Sequence, residues 1–281
     1  TPPHNTPGLL ASTPIKITFS EAMDTTSVEN AFSVSNVASS GLSFGWASAS
    51  TVLTVTANAG WSYATGTSSA LAALKYTATL TAAAKDAQGT ALGAPLSYVF
   101  STRRRITHTI ASETVGSYST YGHAVGDDPF MCTSATGTTY VSKWTSQASG
   151  GTYYTFITFD VSALGAAGAT NTIESATFRS TQLAPTGAFY TSHQVTAAKL
   201  AYRAIDDTVL DALVTTDLGV FCQSANTLQP SANVLSSFKA DFDTGNKKHL
   251  FRLAPNLGTA DSTYAHFACG GFTLDVTQLV Q

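Results

Sequence analysis

Ile15-Lys-Ile-Thr-Phe-Ser-Glu-Ala-Met23 decides the fold of the N-terminal part of the chain. Apolar side chains at Ile15, Ile17 and Phe19 alternate with polar ones, the period-2 pattern of a strand with one buried face. The polar cluster Asp24-Thr-Thr-Ser27 follows at once, with a carboxylate and hydroxyls that bond nearby backbone amides, so the strand has a defined exit. Further along, Thr51-Val-Leu-Thr-Val-Thr56 is a second strand. Leu42, Phe44 and Trp46 alternate inward before it, which predicts a hairpin turning over Ala47–Ser50. Trp46 and Trp61 are expected as core anchors.

Together with Lys75-Tyr-Thr-Ala-Thr-Leu80, Lys85-Asp-Ala-Gln-Gly-Thr-Ala-Leu92 and Leu96-Ser-Tyr-Val-Phe-Ser-Thr102, the opening stretch resembles the bacterial Ig-like domain of S-layer and surface proteins. The resemblance implies a strand, a strand, a hairpin and a closing strand in that order. It also implies a cell-surface location and a spacer or adhesive role, with no catalytic site to carry over. There are two departures. Thr1-Pro-Pro-His-Asn-Thr-Pro7 is Pro-rich and extended, so the first strand is expected to be short or missing. Either Gly8–Ser12 supplies a degenerate strand, or an open edge awaits a strand from a neighbouring subunit. The segment Tyr63–Leu74 is longer than the corresponding family connection and is expected as a protruding loop or short helix. Arg103-Arg104-Arg105 reads as a solvated junction, or as a site for a trypsin-like protease, within a short, stiff linker.

The pattern restarts after this junction. Gly151-Thr-Tyr-Tyr-Thr-Phe-Ile-Thr-Phe-Asp-Val-Ser-Ala-Leu164 carries bulky residues on both faces, with Tyr154 and Phe156 on one and Tyr153, Ile157 and Phe159 on the other, as in a central sandwich strand. With Ile173-Glu-Ser-Ala-Thr-Phe-Arg179, Val195-Thr-Ala-Ala-Lys-Leu-Ala-Tyr-Arg203 and Phe272-Thr-Leu-Asp-Val-Thr-Gln-Leu-Val280, it resembles the DNRLRE family of extracellular domains. That resemblance implies a jelly-roll β-sandwich related to carbohydrate-binding modules. The tryptophan-containing segment of many such domains is replaced here by Asp206-Asp-Thr-Val-Leu-Asp211. The expected fold is therefore all-β: two β-sandwiches, an Ig-like domain over 1–102 and a jelly-roll domain over 103–281.

Composition points the same way. Only 11% of the 281 residues are charged, and Thr, Ser, Ala and Gly dominate, as in secreted β-proteins. A net charge of −3 gives no electrostatic footprint for nucleic acid or an anionic membrane. No apolar run approaches the ~20 residues of a membrane span, and no leader-like segment opens the chain, which fits a leader removed or lying outside this sequence. The expected location is extracellular or at the cell surface, bacterial in type.

Candidate sites are sparse. Cys132, Cys222 and Cys269 show no CxxC spacing. One disulfide is expected for an exported chain, with Cys222 and Cys269 the preferred pair. Asp160 and Asp275 end strands ahead of hydroxyl residues and read as caps of turns. Asp127 and Asp128 are candidate calcium ligands, although no DxDxDG spacing accompanies them; beyond Ca2+ no cofactor is expected. Asp206 with Asp207 and Asp241 with Asp243 read as solvated turn carboxylates rather than acid/base pairs. No HExxH, GxSxG or phosphate loop is present, so no enzyme is expected. For a glycan ligand the candidate contacts are Tyr118, Tyr121, Trp144, Tyr153, Tyr190 and Tyr264. Two functions follow as expectations. One is a structural or adhesive surface protein, a fibre or layer subunit that assembles with itself or with other cell-surface proteins. The alternative is a carbohydrate-binding module for a polysaccharide on an Ig-like spacer.

Overall fold

The computed structural model describes residues 3–119, 130–132, 138–144, 151–181, 195–203, 205, 209, 214–222, 231–255 and 263–281, some strand positions by their backbone alone. It forms two compact units, Thr1–Ile106 with Leu279–Gln281, and Thr107–Gln278. Both are built of β-sheet.

In the first unit the strands are β1 (Thr6–Leu9), β2 (Ile15–Thr18), β3 (Phe32–Val34), β4 (Leu42–Ala47), β5 (Val52–Ala57), β6 (Ala64–Gly66), β7 (Lys75–Leu80) and β8 (Leu96–Thr102), with helix α1 (Thr25–Ala31) between β2 and β3. They make a sheet of order β1-β8-β7-β3 and a sheet of order β2-β5-β4. Ile15 and Ile17 are buried opposite Val55 and Leu53, while Lys16 and Thr18 face out. The exit cluster is a helix cap: the Asp24 carboxylate accepts from the Ser27 amide at 3.1 Å. The β4–β5 hairpin forms with Ala47 opposite Val52, as the alternation predicts. Trp61 is fully buried, 5.3 Å from the Phe100 ring and 5.7 Å from Tyr76, and its indole N–H donates to the Thr13 carbonyl at 2.6 Å. Trp46 is half-buried, stacked on Phe19, and bonded to Glu29 at 2.8 Å.

Two sequence expectations change here, and an open alternative closes. The first strand is short, as expected, and is supplied by the chain itself, slightly earlier than Gly8–Ser12: β1 runs parallel to β8, with Thr6 opposite Phe100 and Leu9 opposite Thr102. Gly8 makes that entry possible. Its φ is +68°, and a Cβ there would lie 2.5 Å from Cγ of Gln281. The segment Tyr63–Leu74 is neither helix nor simple protrusion, because it supplies β6, which pairs parallel with residues 104–106. The arginine run is not a solvated junction. Arg103 Nε donates to the Gly8 carbonyl at 3.3 Å, and Arg104 donates to the carbonyls of Ser69, Leu71 and Gln281. The Arg105 guanidinium lies 5.2 Å from the Tyr63 ring centre.

Strand β9 (Arg104–Ala111) leads into the second unit, which contains β10 (Thr114–Ser119), β11 (Phe130–Met131), β12 (Thr138–Trp144), β13 (Gly151–Asp160), β14 (Asn171–Arg179), β15 (Val195–Leu200), β16 (Val214–Cys222), β17 (Ser231–Asn233), helix α2 (Leu235–Asp243), β18 (Lys248–Pro255), β19 (Thr263–Ala268) and β20 (Thr273–Val280). The larger sheet runs β11-β10-β13-β18-β15-β16, with β12 pairing both β13 and β19; the smaller runs β17-β14-β20-β9. Strand β13 is central, as its two bulky faces require. Ile157 and Phe159 enter the core between the sheets, and Phe156 enters a second cluster with Tyr118, Leu200, Val209 and Leu250. Phe178 of β14 ties the sheets together: its ring stacks on Phe251 at 4.8 Å and Phe221 at 5.0 Å, and meets Phe159 edge-on at 6.0 Å.

The disulfide joins Cys132 to Cys269, with Cα atoms 5.8 Å apart, which corrects the expected Cys222–Cys269 pair. Cys222 closes β16 opposite Val195, in the ladder with β15. Cys132 follows β11, held by its amide on the Val115 carbonyl at 2.9 Å. Sequence proximity favoured the two late cysteines, but Cys222 ends β16, at the opposite end of the sheet from β11, which leads into Cys132.

Phe178→Ala should cost about 3–5 kcal/mol, read as a lower urea midpoint for the second unit. The bond between Cys132 and Cys269 closes a loop with a sequence separation of 137. Its reduction should cost about 5 kcal/mol in the chain-entropy account, seen as a drop in the same midpoint under reductant.

Candidate functional site

The outward face of β13, β18, β15 and β16 carries a cleft of about 250 Å³ lined by Thr196, Ala197, Ala198, Val214, Asp217, Arg252 and Ala254. Register explains it. Arg252 of β18 lies opposite Ala198 of β15, and Ala198 lies opposite Asp217 of β16, so a guanidinium and a carboxylate flank one methyl group. Thr196 opposite Ala254 continues the row of small residues. Between Ala197 and Ala198 the register shifts, because Gly219 pairs with Ala197 and Asp217 with Ala198, leaving Leu218 as the extra residue of a β-bulge. Gly219 adopts φ +73°, a left-handed conformation that costs glycine least, and its amide donates to Asp217 Oδ1 at 2.8 Å. The bulge thus aims and holds Asp217, and this bond uses one of its two oxygens.

Arg252 is half-buried. Its guanidinium lies 5.4 Å from the centre of the Tyr154 ring, and its Nε is buried with no hydrogen-bond partner. A buried donor without a partner is costly, and the Arg252 side chain that carries it lines the cleft. Donors at Arg252, an acceptor at Asp217, the Thr196 hydroxyl and an apolar floor suit a ligand bearing several hydroxyls.

The aromatic candidates divide. Tyr118 is 3% exposed and packs in the cluster with Phe156 and Leu250, so it is core and not a ligand contact, a correction that follows from its pairing opposite Tyr154 in the β10–β13 ladder. Tyr153 is half-buried and shares the inward face of β13 with Thr155, Ile157 and Phe159. Tyr153, Ser142 and Tyr264 occupy one row across β13, β12 and β19, and Trp144 pairs with Gly151 at the end of β12. Tyr121 and Tyr190, and the calcium candidates Asp127 and Asp128, lie outside the described residues. Among the described residues no group of three or more His, Cys, Asp or Glu side chains has the arrangement of a metal site.

The two strand-ending aspartates have different partners. Asp160 caps its turn, accepting from the Ser162 amide at 2.8 Å, and pairs with Lys248 at 2.8 Å; these contacts, Lys248 first, hold its carboxyl well below the usual range. Lys248 also meets Glu113 at 2.5 Å. Asp275 is not a cap. It accepts from Thr109 at 2.8 Å and pairs with Arg179 at 2.6 Å across neighbouring strands.

A second polar group went unseen in the sequence. Lys199 of β15, its side chain 4% exposed, contacts the Asp241 carboxylate of α2, and His249 of β18 lies beside them with Nδ1 3.6 Å from Asp241 Oδ2. Asp241 is therefore not a solvated turn residue. Asp243, by contrast, makes an exposed helical pair with Lys239 at 2.9 Å. The available signal was parity, since Lys199 shares a strand face with Val195 and Ala197, both fully buried. His249 stacks on Phe238 at 4.7 Å, and neither ring nitrogen has a hydrogen-bond partner. Burial first, then the neighbouring Lys199, pushes its pKa down to about 4.

Residues 1–102 match the bacterial Ig-like domain family. No curated protein matches the chain. The N-terminal unit is thus an Ig-like domain on family grounds as well as by its sheets, in an all-β protein. Domains of this family are typical of bacterial surface proteins and are generally non-catalytic. Among the described residues no helix is long and apolar enough to cross a membrane.

The native state keeps His249 neutral down to about pH 4, whereas the unfolded chain takes up that proton near 6.5. Its stability contribution is therefore present above pH 6.5 and is lost as pH falls towards 4, with a slope of up to about 1.4 kcal/mol per pH unit. Urea midpoints for wild type and His249→Leu across this window should show a shallower acid loss in the variant.

Proposed function

We propose that this is a non-catalytic, extracellular adhesive protein whose Ig-like unit serves as a spacer and whose second unit contacts a polysaccharide through the outward cleft. The observation that carries this reading is the placement of Arg252 and Asp217 on either side of Ala198, lining one cleft with a floor of small residues. A sugar offers vicinal hydroxyls that both accept from a guanidinium and donate to a carboxylate, and C–H faces that cover alanines. Among the described residues the lining holds no other charge, which favours a neutral, hydroxyl-rich polymer over a phosphate or a nucleic acid.

A second reading is a subunit of a fibre or layer. It is supported by β16, which among the described residues ladders only with β15 and exposes Val214 at 47% and Val220 at 43%. Completion of the first unit by β1 fills the place beside β8 that a neighbouring subunit's strand would have taken.

A glycan array followed by titration calorimetry separates the two. A bound polysaccharide whose affinity falls about tenfold or more in Arg252→Ala, the loss expected for a charge-assisted hydrogen bond, supports the cleft. An unchanged affinity in that variant overturns it. Concentration-dependent filaments in negative-stain micrographs without glycan binding would favour assembly.

A further inference from the structure

The Lys199, Asp241 and His249 cluster has features that neither an adhesive cleft nor a sheet edge requires. Its three members come from separate elements. Lys199 lies opposite Phe251 in the β15–β18 ladder, two positions from the Leu253 pair, and His249 precedes Phe251 by two on β18, so amine and imidazole are diagonal neighbours on the inward face. Asp241 reaches them from α2, where Phe238 and Phe242 are both fully buried in the core. The helix end is fixed from behind: the Asp241 carbonyl accepts from Asn246 at 3.0 Å and from the Thr244 hydroxyl at 2.9 Å. The Lys199 amine meets the carboxylate directly, and the His249 ring beside them is stacked on Phe238.

We propose that Lys199 and Asp241 join spontaneously in an intramolecular amide, with His249 carrying the proton between nitrogen and leaving oxygen. The balance closes without any co-reactant. A proton passes from ammonium to carboxylate, the amine lone pair adds to Asp241 Cγ, and the imidazole takes a proton from nitrogen and returns it to the departing oxygen. The Nζ–Cγ bond forms, one Cγ–O bond breaks, one water leaves, and nothing is oxidised or reduced.

Three physical features favour the step. The Lys199 side chain is 4% exposed and in direct contact with the carboxylate, so no solvent shell separates the two reacting groups. Fixing the two groups in contact replaces a bimolecular encounter by a local one, with effective molarities on the order of 10⁵ M or more. The water formed has an exit, since the Asp241 side chain is 31% exposed while Lys199 and His249 are enclosed. His249 suits the shuttle because it is neutral at ordinary pH and both its nitrogens are uncommitted. Desolvation, the largest cause of its low pKa, persists whether the neighbours are ionised or joined.

The full chain, reduced and measured by intact mass spectrometry, should weigh one water less than its sequence. Peptide mapping should yield one branched peptide joining the strand bearing Lys199 to the helix bearing Asp241. Lys199→Arg should restore the full mass, and Asp241→Asn should give either the full mass or the loss of one ammonia, which would mark the same amide. His249→Gln should start at full mass and lose water more slowly than wild type. A folded wild-type protein at full sequence mass, with Lys199 recovered as a free amine after unfolding and labelling, overturns the proposal. That result would leave the glycan-binding reading untouched, because the two rest on opposite faces of the larger sheet.

Discussion

The stack centred on Phe178 is the contact on which the second unit depends. A β-sandwich exists only while the inner faces of its sheets exclude water, and here one ring from β14 lies parallel to Phe251, Phe221 and Phe272 and edge-on to Phe159. Aromatic rings bury large areas with few rotors, so this packing sets the sheet separation and leaves little room for slippage. Because β18 is held there by Phe251, its next residue on the opposite face, Arg252, is placed outward beside Ala198. The cleft is thus a consequence of the core beneath it.

The same constraint explains what could be read from the sequence. Strict alternation at Ile15, Ile17 and Phe19, and two bulky faces along Tyr153–Phe159, translate directly into burial because side-chain direction in a strand has a period of two. The β4–β5 hairpin followed for the same reason. What alternation cannot carry is pairing between distant segments. Strand β1 is four residues containing Pro7 and Gly8, too short to show a period, and its place beside β8 is set by backbone bonds rather than side-chain pattern. The Cys132–Cys269 bond and the parallel pairing of β6 are long-range in the same sense.

The candidate site was less legible still. Aromatic residues were the obvious glycan contacts, yet Tyr118 is consumed by the cluster on the outer face, and Tyr154, beneath Arg252, was read only as a strand residue. The proposed recognition groups are an arginine and an aspartate that are far apart in sequence, adjacent only through an alanine and a bulge. No spacing rule detects such a pair. Lys199 did leave a trace, as a charge on the apolar face of its strand, but its partner in α2 is set by the docking of Phe238 and Phe242 in the core, which no local pattern on β15 reveals.

Low charge gives these few residues their weight. With 11% charged residues, most outward positions are filled by hydroxyls and small side chains, and the charges that remain are committed to definite tasks. Arg103 and Arg104 bind backbone carbonyls, Lys248 bridges Glu113 and Asp160, and Arg179 holds Asp275. Exposed pairs of this kind contribute little to stability individually, so their value is in fixing strand ends and register. Arg252 departs from the rule, since its Nε is desolvated without a hydrogen-bond partner and its guanidinium lies over the Tyr154 ring instead of a carboxylate. Its position is set by register: Ala198 separates it from Asp217, and the core beneath β18 holds it at the cleft.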